Sequence, residues 1–448
     1  MLSERRAMRL LVLDPYGDGL DVSYRACKEG HDVKHFIPPN PKYAKIGEGM
    51  VPLVREFKPW LRWADVVFLV DNTVYMRDID NHRLTMTNNV VGPSQETTLW
   101  ETDRKIGQQV FQTAGIETIP YKEFHSYDDA AAHVKKHDKR FVSKPTDEDD
   151  KALSYVCKSP DDMLYMLERW KKLGKRMTFI LQDFVEGCEM AVGGFFGPGG
   201  WCAGWHENFE FKKFMNDELG IATGEQGTVV RVVKHSKLAI EMLVPLTQQL
   251  RKANYIGYID VNCIVTDAGK AMPLEITARP GWPTYNIQLS LLKGDSVTWM
   301  KDLLEGKDTA IWAYNDVACG VVLSVPDYPY SHVTRREVCG IPIYGIREGM
   351  MSRHLHPCEM MVCEAPLKNN GKVERTKVFG TAGDYVLVMT GVAATVHDAA
   401  TTAYRRLKSL IVPNSPMWRS DIGRRLARQL PKIQAHGYAR GMTYTTAT

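Results

Sequence analysis

The strongest chemical signal in the sequence lies between Tyr258 and Arg279. Two runs of strand-forming residues flank Thr266-Asp267-Ala268-Gly269, a sequence typical of a hairpin turn. If Asp267 and Ala268 form a two-residue loop, Asp260 lies directly opposite Glu275 on the neighbouring strand. The hairpin therefore brings two carboxylates within reach of each other.

These carboxylates belong to a polar strand face whose opposite face is apolar, because successive strand residues point to opposite sides. Adjacent carboxylates repel unless a cation joins them, and Mg²⁺ takes one or two carboxylates together with phosphate oxygens. We therefore expect a magnesium or manganese site here; a solvent-facing acidic pair is the alternative. The members of the polar face are Asp260, Asn262, Glu275 and Thr277.

Three basic residues are candidates for contacts with phosphate. Arg279 follows Thr277 on the same face, where a guanidinium can stabilise charge on a transferring phosphoryl group, although a salt bridge to Glu275 is equally consistent with the spacing. Lys105 opens a predicted helix, and Lys144 ends a predicted strand. Two lysines from separate elements can bind α- and β-phosphates, whereas an isolated lysine is usually a solvated surface charge.

A strand that ends in a turn supplies a candidate nucleoside site. The strand Phe179–Phe184 is followed by Val185-Glu186-Gly187, and an exposed strand end offers backbone N–H and C=O groups to an adenine edge. Glu189, just past the turn, can accept hydrogen bonds from ribose hydroxyls. This segment therefore predicts the binding site of a nucleotide base and sugar.

The first hundred residues alternate strand and helix signals, which predicts a parallel sheet covered by helices. Gly17 and Gly19 follow the first strand and precede a helix, so they either cradle a phosphate of a substrate or form a plain tight turn. Val22 stands where a dinucleotide fingerprint has its third glycine, so the motif is incomplete.

Two helices are predicted after this sheet, one over 102–115 and a long one from about Ser236 to Asn254, with strands between them. A region rich in hairpins follows residue 318. We predict an N-terminal unit over 1–100, a middle unit over 101–312 with a smaller part at about 120–190, and a β-rich unit over 313–448. We predict an α/β protein, which is of the α+β type when the chain is taken as a whole.

The composition excludes a mainly disordered protein, and the net charge is too small to mark the whole chain as a nucleic-acid binder. Charged residues make up 25% and hydrophobic residues 44% of 448 residues, which is ordinary for globular chains, and the net charge is only +4. The positive charge is concentrated at one end, since residues 404–440 contain nine Lys or Arg and one acid. This basic tail is either a solvated helix face or a contact with phosphate of a substrate or nucleic acid.

The cysteines and the N-terminus indicate the cellular setting. Nine cysteines occur without a CxxC pair, which is typical of reduced thiols. The apolar stretch Leu10–Leu13 ends at Asp14-Pro15, too short for a signal peptide. We expect a cytoplasmic protein without a membrane span, present as a monomer or homodimer.

Taken in order, these motifs resemble the ATP-grasp ligases, and within them most closely the phosphoribosylamine–glycine ligase family. The resemblance covers nearly the whole chain. It is carried by Lys105, Lys144, Gln182-Asp183-Phe184-Val185-Glu186-Gly187-Cys188-Glu189, Asp260 and Leu274-Glu275-Ile276-Thr277-Ala278-Arg279, and by Val91-Gly92-Pro93-Ser94, Gly281-Trp282-Pro283 and Trp418-Arg419-Ser420-Asp421-Ile422-Gly423.

The resemblance implies an ATP-grasp fold with an N-terminal Rossmann-like domain, a grasp domain with a small lid and a C-terminal mixed β domain. It implies a reaction in which ATP phosphorylates a carboxylate and an amine then displaces phosphate from the acyl phosphate. On the matched positions, Lys105 and Lys144 bind phosphates and Arg279 and Lys144 act in catalysis. ATP further contacts Gln182, Asp183, Phe184, Val185 and Glu189, and the metal contacts Asp260, Glu275 and Thr277.

The chain departs from the family where small substrates and the phosphate lid bind. Gly281-Trp282-Pro283-Thr284 lacks two acids of the family motif, which makes Trp282 and Thr284, with Gly17 and Gly19, candidate substrate contacts. Asp147-Glu148-Asp149-Asp150 replaces a glycine-rich lid. The expected reaction is glycine with 5-phosphoribosylamine; the alternatives are a diverged ligase joining another amino acid to another amine, in nucleotide or nucleic-acid modification, and a non-catalytic ATP-binding protein.

Overall fold

The structure, a computed structural model, describes residues 7–85, 88–145, 154–175, 178–307, 309–311, 313–330, 336–369 and 371–445. It begins with a five-stranded sheet formed by β1 (Arg9–Leu13), β2 (Asp32–Phe36), β3 (Leu53–Val54), β4 (Val66–Leu69) and β5 (Val90–Val91). The strands are parallel, in the order β3-β2-β1-β4-β5. This confirms the predicted parallel sheet.

The central strands of this sheet are apolar on both faces, since Leu10 to Leu13 and Val66 to Leu69 are all buried. A parallel sheet needs cover on both sides, which the crossover helices provide. These helices are α1 (Leu20–Lys28) and α2 (Met76–Thr85). The short strand β3 and helix α2 were not anticipated from the sequence.

A small antiparallel sheet follows, formed by β6 (Tyr121–Phe124), β7 (Phe141–Pro145), β8 (Tyr155–Val156) and β9 (Phe179–Asp183). Its strand order is β6-β9-β7-β8. Helices α3 (Gln95–Thr102) and α4 (Arg104–Thr113) precede this sheet in the chain, and α5 (Tyr127–His137) and α6 (Pro160–Lys172) share its core. The segment 147–150, predicted to replace the lid, lies outside the described residues.

The predicted single helix over 102–115 is wrong at its start. Asp103 leaves the helical conformation, with φ −108° and ψ 108°, and separates α3 from α4. Its carboxylate accepts hydrogen bonds from the backbone N–H groups of Lys105 and Ile106, which is the usual way a helix begins. The break sets the direction in which Arg104 and Lys105 point.

The largest layer is a nine-stranded sheet. Its first strands are β10 (Gly187–Gly197), β11 (Gly200–Trp201), β12 (Trp205–Met215), β13 (Leu219–Val233), β14 (Gly257–Thr266), β15 (Ala271–Thr277), β16 (Val317–Ser324) and β17 (Leu355–Pro357). A separate two-stranded ladder joins β18 (Met360–Asn369) to β19 (Lys372–Thr381), and β20 (Tyr385–Ala393) returns to the large sheet.

The main path of this sheet runs β15-β14-β10-β12-β13-β16-β20-β17, with β11 paired to β10. Strands from both sides of residue 312 therefore belong to one sheet. The division into units near residues 100 and 312 stays a proposal about domains.

The predicted long helix over 236–254 is broken. It consists of α7 (Lys237–Met242), a single 3₁₀ turn (Val244–Leu246) and α8 (Thr247–Lys252). Pro245 lies in the turn, and proline lacks the N–H group that a continuous helix needs. The remaining helices are α9 (Thr284–Leu289), α10 (Ser296–Leu304), α11 (Glu348–Met351), α12 (Val396–Lys408) and α13 (Leu426–Ala435). Among the described residues, no helix combines the length and the apolar character needed to cross a bilayer.

Candidate active site

The hairpin of β14 and β15 has a different register from the predicted one. Its loop contains three residues, because Thr266 and Lys270 close the ladder and Gly269 adopts a left-handed φ of +76°. A bulge follows Asn262, so Asp260 pairs with Thr277 and Asn262 pairs with Glu275. The prediction that Asp260 lies directly opposite Glu275 is therefore wrong.

Glu275 is surrounded by positive charge. Its Oε2 accepts a hydrogen bond from Arg104 Nη1 at 2.8 Å, and its Oε1 lies 4.0 Å from Lys212 Nζ. Burial alone would raise the pKa of this carboxyl, but Arg104, Lys212 and Lys144 hold the pKa well below its ordinary value. The sequence also allowed a salt bridge between Arg279 and Glu275. In the structure, Arg279 pairs with Glu101 and Asp71 instead.

Lys144 is the penultimate residue of β7 and lies beside this cluster. Burial and the neighbouring charge of Arg104 lower the pKa of the Lys144 ammonium to about 8. The Glu275 carboxylate acts in the opposite direction and offsets part of this decrease. Lys105, in contrast, extends to Glu123 at 2.7 Å and is half exposed. Of the two lysines predicted to bind phosphates, the structure thus brings only Lys144 to the Glu275 face, and Arg104 takes the place expected for Lys105.

Asp260 occupies a more enclosed position on the hairpin. It accepts hydrogen bonds from Asn208 Nδ2 at 3.2 Å and from the Tyr258 hydroxyl at 3.3 Å. Burial and the nearby Glu210 raise the pKa of the Asp260 carboxyl well above its ordinary value. Asp260 and Glu275 therefore share a strand face but have opposite electrostatic environments.

Lys212 connects these groups across the sheet. Its ammonium lies 3.0 Å from Glu189 Oε1 and 3.1 Å from Glu210 Oε2. Burial would lower the pKa of Lys212, but Glu189, Glu210 and Glu275 together raise it well above its ordinary value. The alternation Glu210-Phe211-Lys212 on β12 is the sequence signal that would have identified the Glu210–Lys212 pair.

The predicted adenine segment leaves the small sheet at Asp183. Gln182 is buried within β9, and Asp183 forms an ion pair with Lys139 at 2.7 Å. The Arg140 guanidinium lies 3.5 Å from the centre of the Phe184 ring. Val185 lies between β9 and β10 and belongs to no strand, the backbone arrangement expected of a segment that contacts a base edge.

Arg279 faces the edge of the parallel sheet. Its Nη2 donates a hydrogen bond to Glu101 Oε1 at 2.8 Å, and its Nε lies 3.8 Å from Asp71 Oδ2. Glu101 Oε2 also accepts hydrogen bonds from Ala278 N at 3.1 Å and from Asn72 Nδ2 at 2.8 Å. Glu101 thus connects the end of α3 to the segment that follows β15.

The two predicted substrate residues of the 281–284 segment make contacts that the sequence did not indicate. Trp282 Nε1 donates a hydrogen bond to the carbonyl of Val70 at 3.0 Å, directly after β4. Thr284 Oγ1 lies 3.1 Å from both carboxylate oxygens of Glu225, on β13. This segment therefore joins the parallel sheet to the large antiparallel sheet.

The backbone around Gly17 and Gly19 is already occupied by an internal anion. Asp14 Oδ1 accepts hydrogen bonds from Gly17 N at 2.7 Å and from Asp18 N at 3.1 Å, and Asp14 Oδ2 accepts one from Gly19 N at 2.8 Å. A phosphate would need these same N–H groups. The plain-turn interpretation thus describes the observed geometry, and a substrate contact at Gly17 and Gly19 stays a prediction.

A cavity of about 290 Å³ opens between these elements. It lies where the polar hairpin face, the start of α4 and the segment after β15 meet. The residues that line it are Glu101, Thr102, Arg104, Pro145, Glu210, Lys212, Gly224, Glu225, Asn262, Glu275, Thr277, Arg279, Gly281 and Trp282. Of these, Arg104, Glu210, Lys212 and Glu225 were missed because they become neighbours only through the fold.

The basic tail holds the hairpin tip that joins β12 to β13. Arg419, 3% exposed, forms ion pairs with Asp421 and Glu218, both at 2.6 Å. Arg424 and Arg425 pair with Asp217 and Glu218, each at 2.8 Å, and Lys432 lies 3.8 Å from Asp267. Four of the nine basic residues thus have acidic partners within the molecule, which favours a structural role for this segment; a nucleic-acid contact stays a prediction.

Comparison with known proteins shows what the chain and its fold are similar to. No protein-family model matches the chain. A phosphoribosylamine–glycine ligase from Halalkalibacterium halodurans is 23% identical over 352 residues, which cover 75% of this chain and 76% of the relative. A crystal structure of the ligase of that name from Thermotoga maritima superposes with a TM-score of 0.69 at 18% identity, covering 92% of this chain and 100% of the other.

The chain has the ATP-grasp fold and is similar in sequence to phosphoribosylamine–glycine ligases.

A second solved structure shares this fold. The biotin carboxylase domain of Hydrogenobacter thermophilus 2-oxoglutarate carboxylase, whose structure contains MgADP, superposes with a TM-score of 0.59 at 12% identity. The match covers 98% of this chain and 97% of the other. The predicted ATP-grasp fold is thereby confirmed.

Proposed function

We propose that the protein is an ATP-dependent carboxylate–amine ligase that forms an amide through an acyl phosphate. The observation that carries the proposal is the convergence of Lys144, Arg104 and Lys212 on Glu275, beside a cavity that Arg104, Lys212 and Glu275 line. Three cations around one carboxylate form an arrangement that suits the phosphates of a nucleotide and a divalent ion between them.

The oxygen donors of the polar hairpin face suit Mg²⁺. Asp260 and Glu275 offer carboxylates and Thr277 a hydroxyl, and hard divalent cations prefer oxygen ligands. When bound, the ion neutralises charge on the phosphates. Asp260, Glu275 and Thr277 would hold the ion, and Lys144 and Arg104 would contact phosphate oxygens. Gln182, Asp183, Phe184, Val185 and Glu189 would contact the adenosine, and Lys105 remains a proposed phosphate contact.

We assign Arg279 to the substrate carboxylate and the terminal phosphoryl group, because it lines the same cavity as Glu275. Its guanidinium donates hydrogen bonds to Glu101 and to the Pro280 carbonyl, whereas its Nε has no hydrogen-bond partner among the described residues, and the residue lines the cavity. In the proposed reaction the carboxylate attacks the terminal phosphorus, ADP leaves, and the amine then attacks the acyl carbon and expels phosphate. Positioning and charge neutralisation are the protein's contribution.

The relatives are named for glycine and phosphoribosylamine, and these are the first substrates to test. A second candidate, joining another amine, is favoured by one observation: Asp14 occupies the backbone N–H groups at the start of α1. Beside them, burial, Asp14 and Glu359 raise the pKa of the Asp18 carboxyl to about 8. A bound phosphate would add further negative charge to this acidic region.

The decisive experiment measures nucleotide products. We expect ADP and phosphate to be released only when MgATP, an amino acid and an amine are all present, with an amide product of the corresponding mass. Omission of either substrate is the control. Release of AMP and pyrophosphate would contradict the acyl-phosphate mechanism, and MgATP binding without turnover for any pair would favour a non-catalytic protein.

A further inference from the structure

Glu225 is a buried carboxylate in the wall of the candidate active site. It is 5% exposed and lines the cavity. Burial and the nearby Glu210 raise the pKa of the Glu225 carboxyl well above its ordinary value, and a cation bound beside it would favour the ionised form. In that form Glu225 only accepts hydrogen bonds, so Thr284 donates its hydroxyl proton to Glu225, and Thr228, 2.9 Å from Thr284, donates to Thr284. One donated proton leaves most of the acceptor capacity of Glu225, about four lone-pair sites, for a ligand.

A second acceptor lies in the same wall. Asn262 is 4% exposed and lines the cavity, and its Oδ1 has no hydrogen-bond partner among the described residues. A buried amide oxygen without a partner costs free energy until a donor reaches it. Trp282 also lines the cavity, and the face of an indole ring attracts cations. These three features suit a ligand that is positively charged and rich in N–H donors.

The adjoining part of the site is unfavourable to phosphate. The Arg279 guanidinium is the cation that faces Asp18 and Asp71, and its Nη2 is already bound to Glu101. The N–H groups at the start of α1 are bound to Asp14. A phosphorylated amine would therefore meet carboxyl groups and backbone N–H groups that are already bound, with Arg279 Nε as a donor that has no hydrogen-bond partner among the described residues.

We infer that the amine acceptor of this enzyme is an aliphatic diamine without a phosphate, whose distal ammonium group is bound by Glu225 and Asn262 beside the Trp282 ring. The inference rests on the proposed ligase function. The neutral nitrogen of the diamine attacks the acyl carbon, a C–N bond forms and the C–O bond to phosphate breaks. Phosphate leaves with the electron pair, the attacking nitrogen releases one proton, and the distal nitrogen stays protonated on Glu225.

The test compares acceptors that differ in charge. With MgATP and glycine, 1,3-diaminopropane, propylamine and phosphoribosylamine are measured by ADP release and product mass. We expect kcat/KM for 1,3-diaminopropane to exceed that for the other two by about tenfold or more, since charge-assisted hydrogen bonds are the strong ones. A preference for phosphoribosylamine would overturn the inference.

The variant Glu225→Gln keeps the size of the side chain and removes its charge. We expect it to reduce kcat/KM for 1,3-diaminopropane about tenfold more than for propylamine. Glu305→Gln, an exchange of the same kind directly after α10 and outside the residues that line the cavity, is the matched control and should behave as the unmodified enzyme. An equal loss for both amines in Glu225→Gln would contradict the assignment. If Glu225→Gln fails to fold, Trp282→Leu, which retains Glu225, takes its place. This variant should lower the ratio of kcat/KM for 1,3-diaminopropane to kcat/KM for propylamine.

Direct binding separates this inference from the ligase proposal. Titration calorimetry measures the affinity for 1,3-diaminopropane in the presence of MgADP, with no turnover needed. If no substrate pair releases ADP, the ligase proposal fails, but a roughly tenfold weaker affinity in Glu225→Gln still supports the diamine site. Equal affinity of both proteins, or no binding by the unmodified protein, would refute the diamine site even if the enzyme turns over other amines.

Discussion

The affinity for ADP should fall as the pH rises above 8, because Lys144 loses its proton there. Burial and Arg104 lower the pKa of the Lys144 ammonium to about 8 in the nucleotide-free protein. Phosphate oxygens favour the charged form, so nucleotide binding raises this pKa and takes up a proton at alkaline pH. A lysine with an ordinary pKa near 10.4 would show no change in this range.

The magnitude follows from the titration of one group. With a pKa of about 8, Lys144 is roughly 90% protonated at pH 7 and roughly 10% protonated at pH 9. The dissociation constant of MgADP should therefore increase about tenfold between these two pH values. The phosphates themselves contribute little, since their second pKa lies near 6.

The assay is a calorimetric or fluorescence titration of MgADP at half-unit steps from pH 6.5 to 9, with circular dichroism at each pH to confirm that the protein stays folded. Lys144→Arg is the matched control, because a guanidinium stays charged throughout this range. We expect its dissociation constant to be nearly constant. A constant value for the unmodified protein, or the same slope in Lys144→Arg, would refute the role of Lys144.

Two further predictions concern the metal site and the C-terminal segment. Glu275→Gln should abolish ATP turnover at saturating Mg²⁺ while thermal unfolding shows an intact fold, since the amide keeps the size but loses the charge; unchanged turnover would mean that the hairpin is only structural. Arg419→Met should lower the free energy of unfolding by about 3–5 kcal/mol in urea titrations, because the buried Asp421 carboxylate loses its closest cation and keeps only Arg424, 3.8 Å away. Arg424→Met, whose arginine is 60% exposed, should cost less than about 1 kcal/mol, and equal losses in the two variants would contradict this difference.

The sequence predicts the parallel sheet well because its strands are short apolar runs separated by helix signals. The strand alternation also predicts the polar face of the β14–β15 hairpin. The register of that hairpin is not predictable in the same way, because it depends on the left-handed conformation of Gly269 and on the bulge after Asn262. One additional loop residue changes which side chains lie opposite each other.

The cationic cluster is harder to predict for a different reason. Whether Arg104 or Lys105 faces Glu275 depends on where α4 begins, and Asp103 decides that locally. Lys212 and Glu225 come from two strands of a hairpin that lies well before Glu275 in the chain. Contacts between distant strands depend on sheet order, which a single sequence does not encode in its local patterns.

The ion pairs between the tip of the β12–β13 hairpin and residues 419–425 have a consequence for protein synthesis. Both strands that carry Lys212 and Glu225 are translated about two hundred residues before Arg419. While the nascent chain grows, Asp217 and Glu218 are acidic groups at a hairpin tip whose arginine partners do not yet exist. The tip of this hairpin can reach its final arrangement only near the end of translation, so nucleotide binding should be among the last properties that a newly made chain acquires.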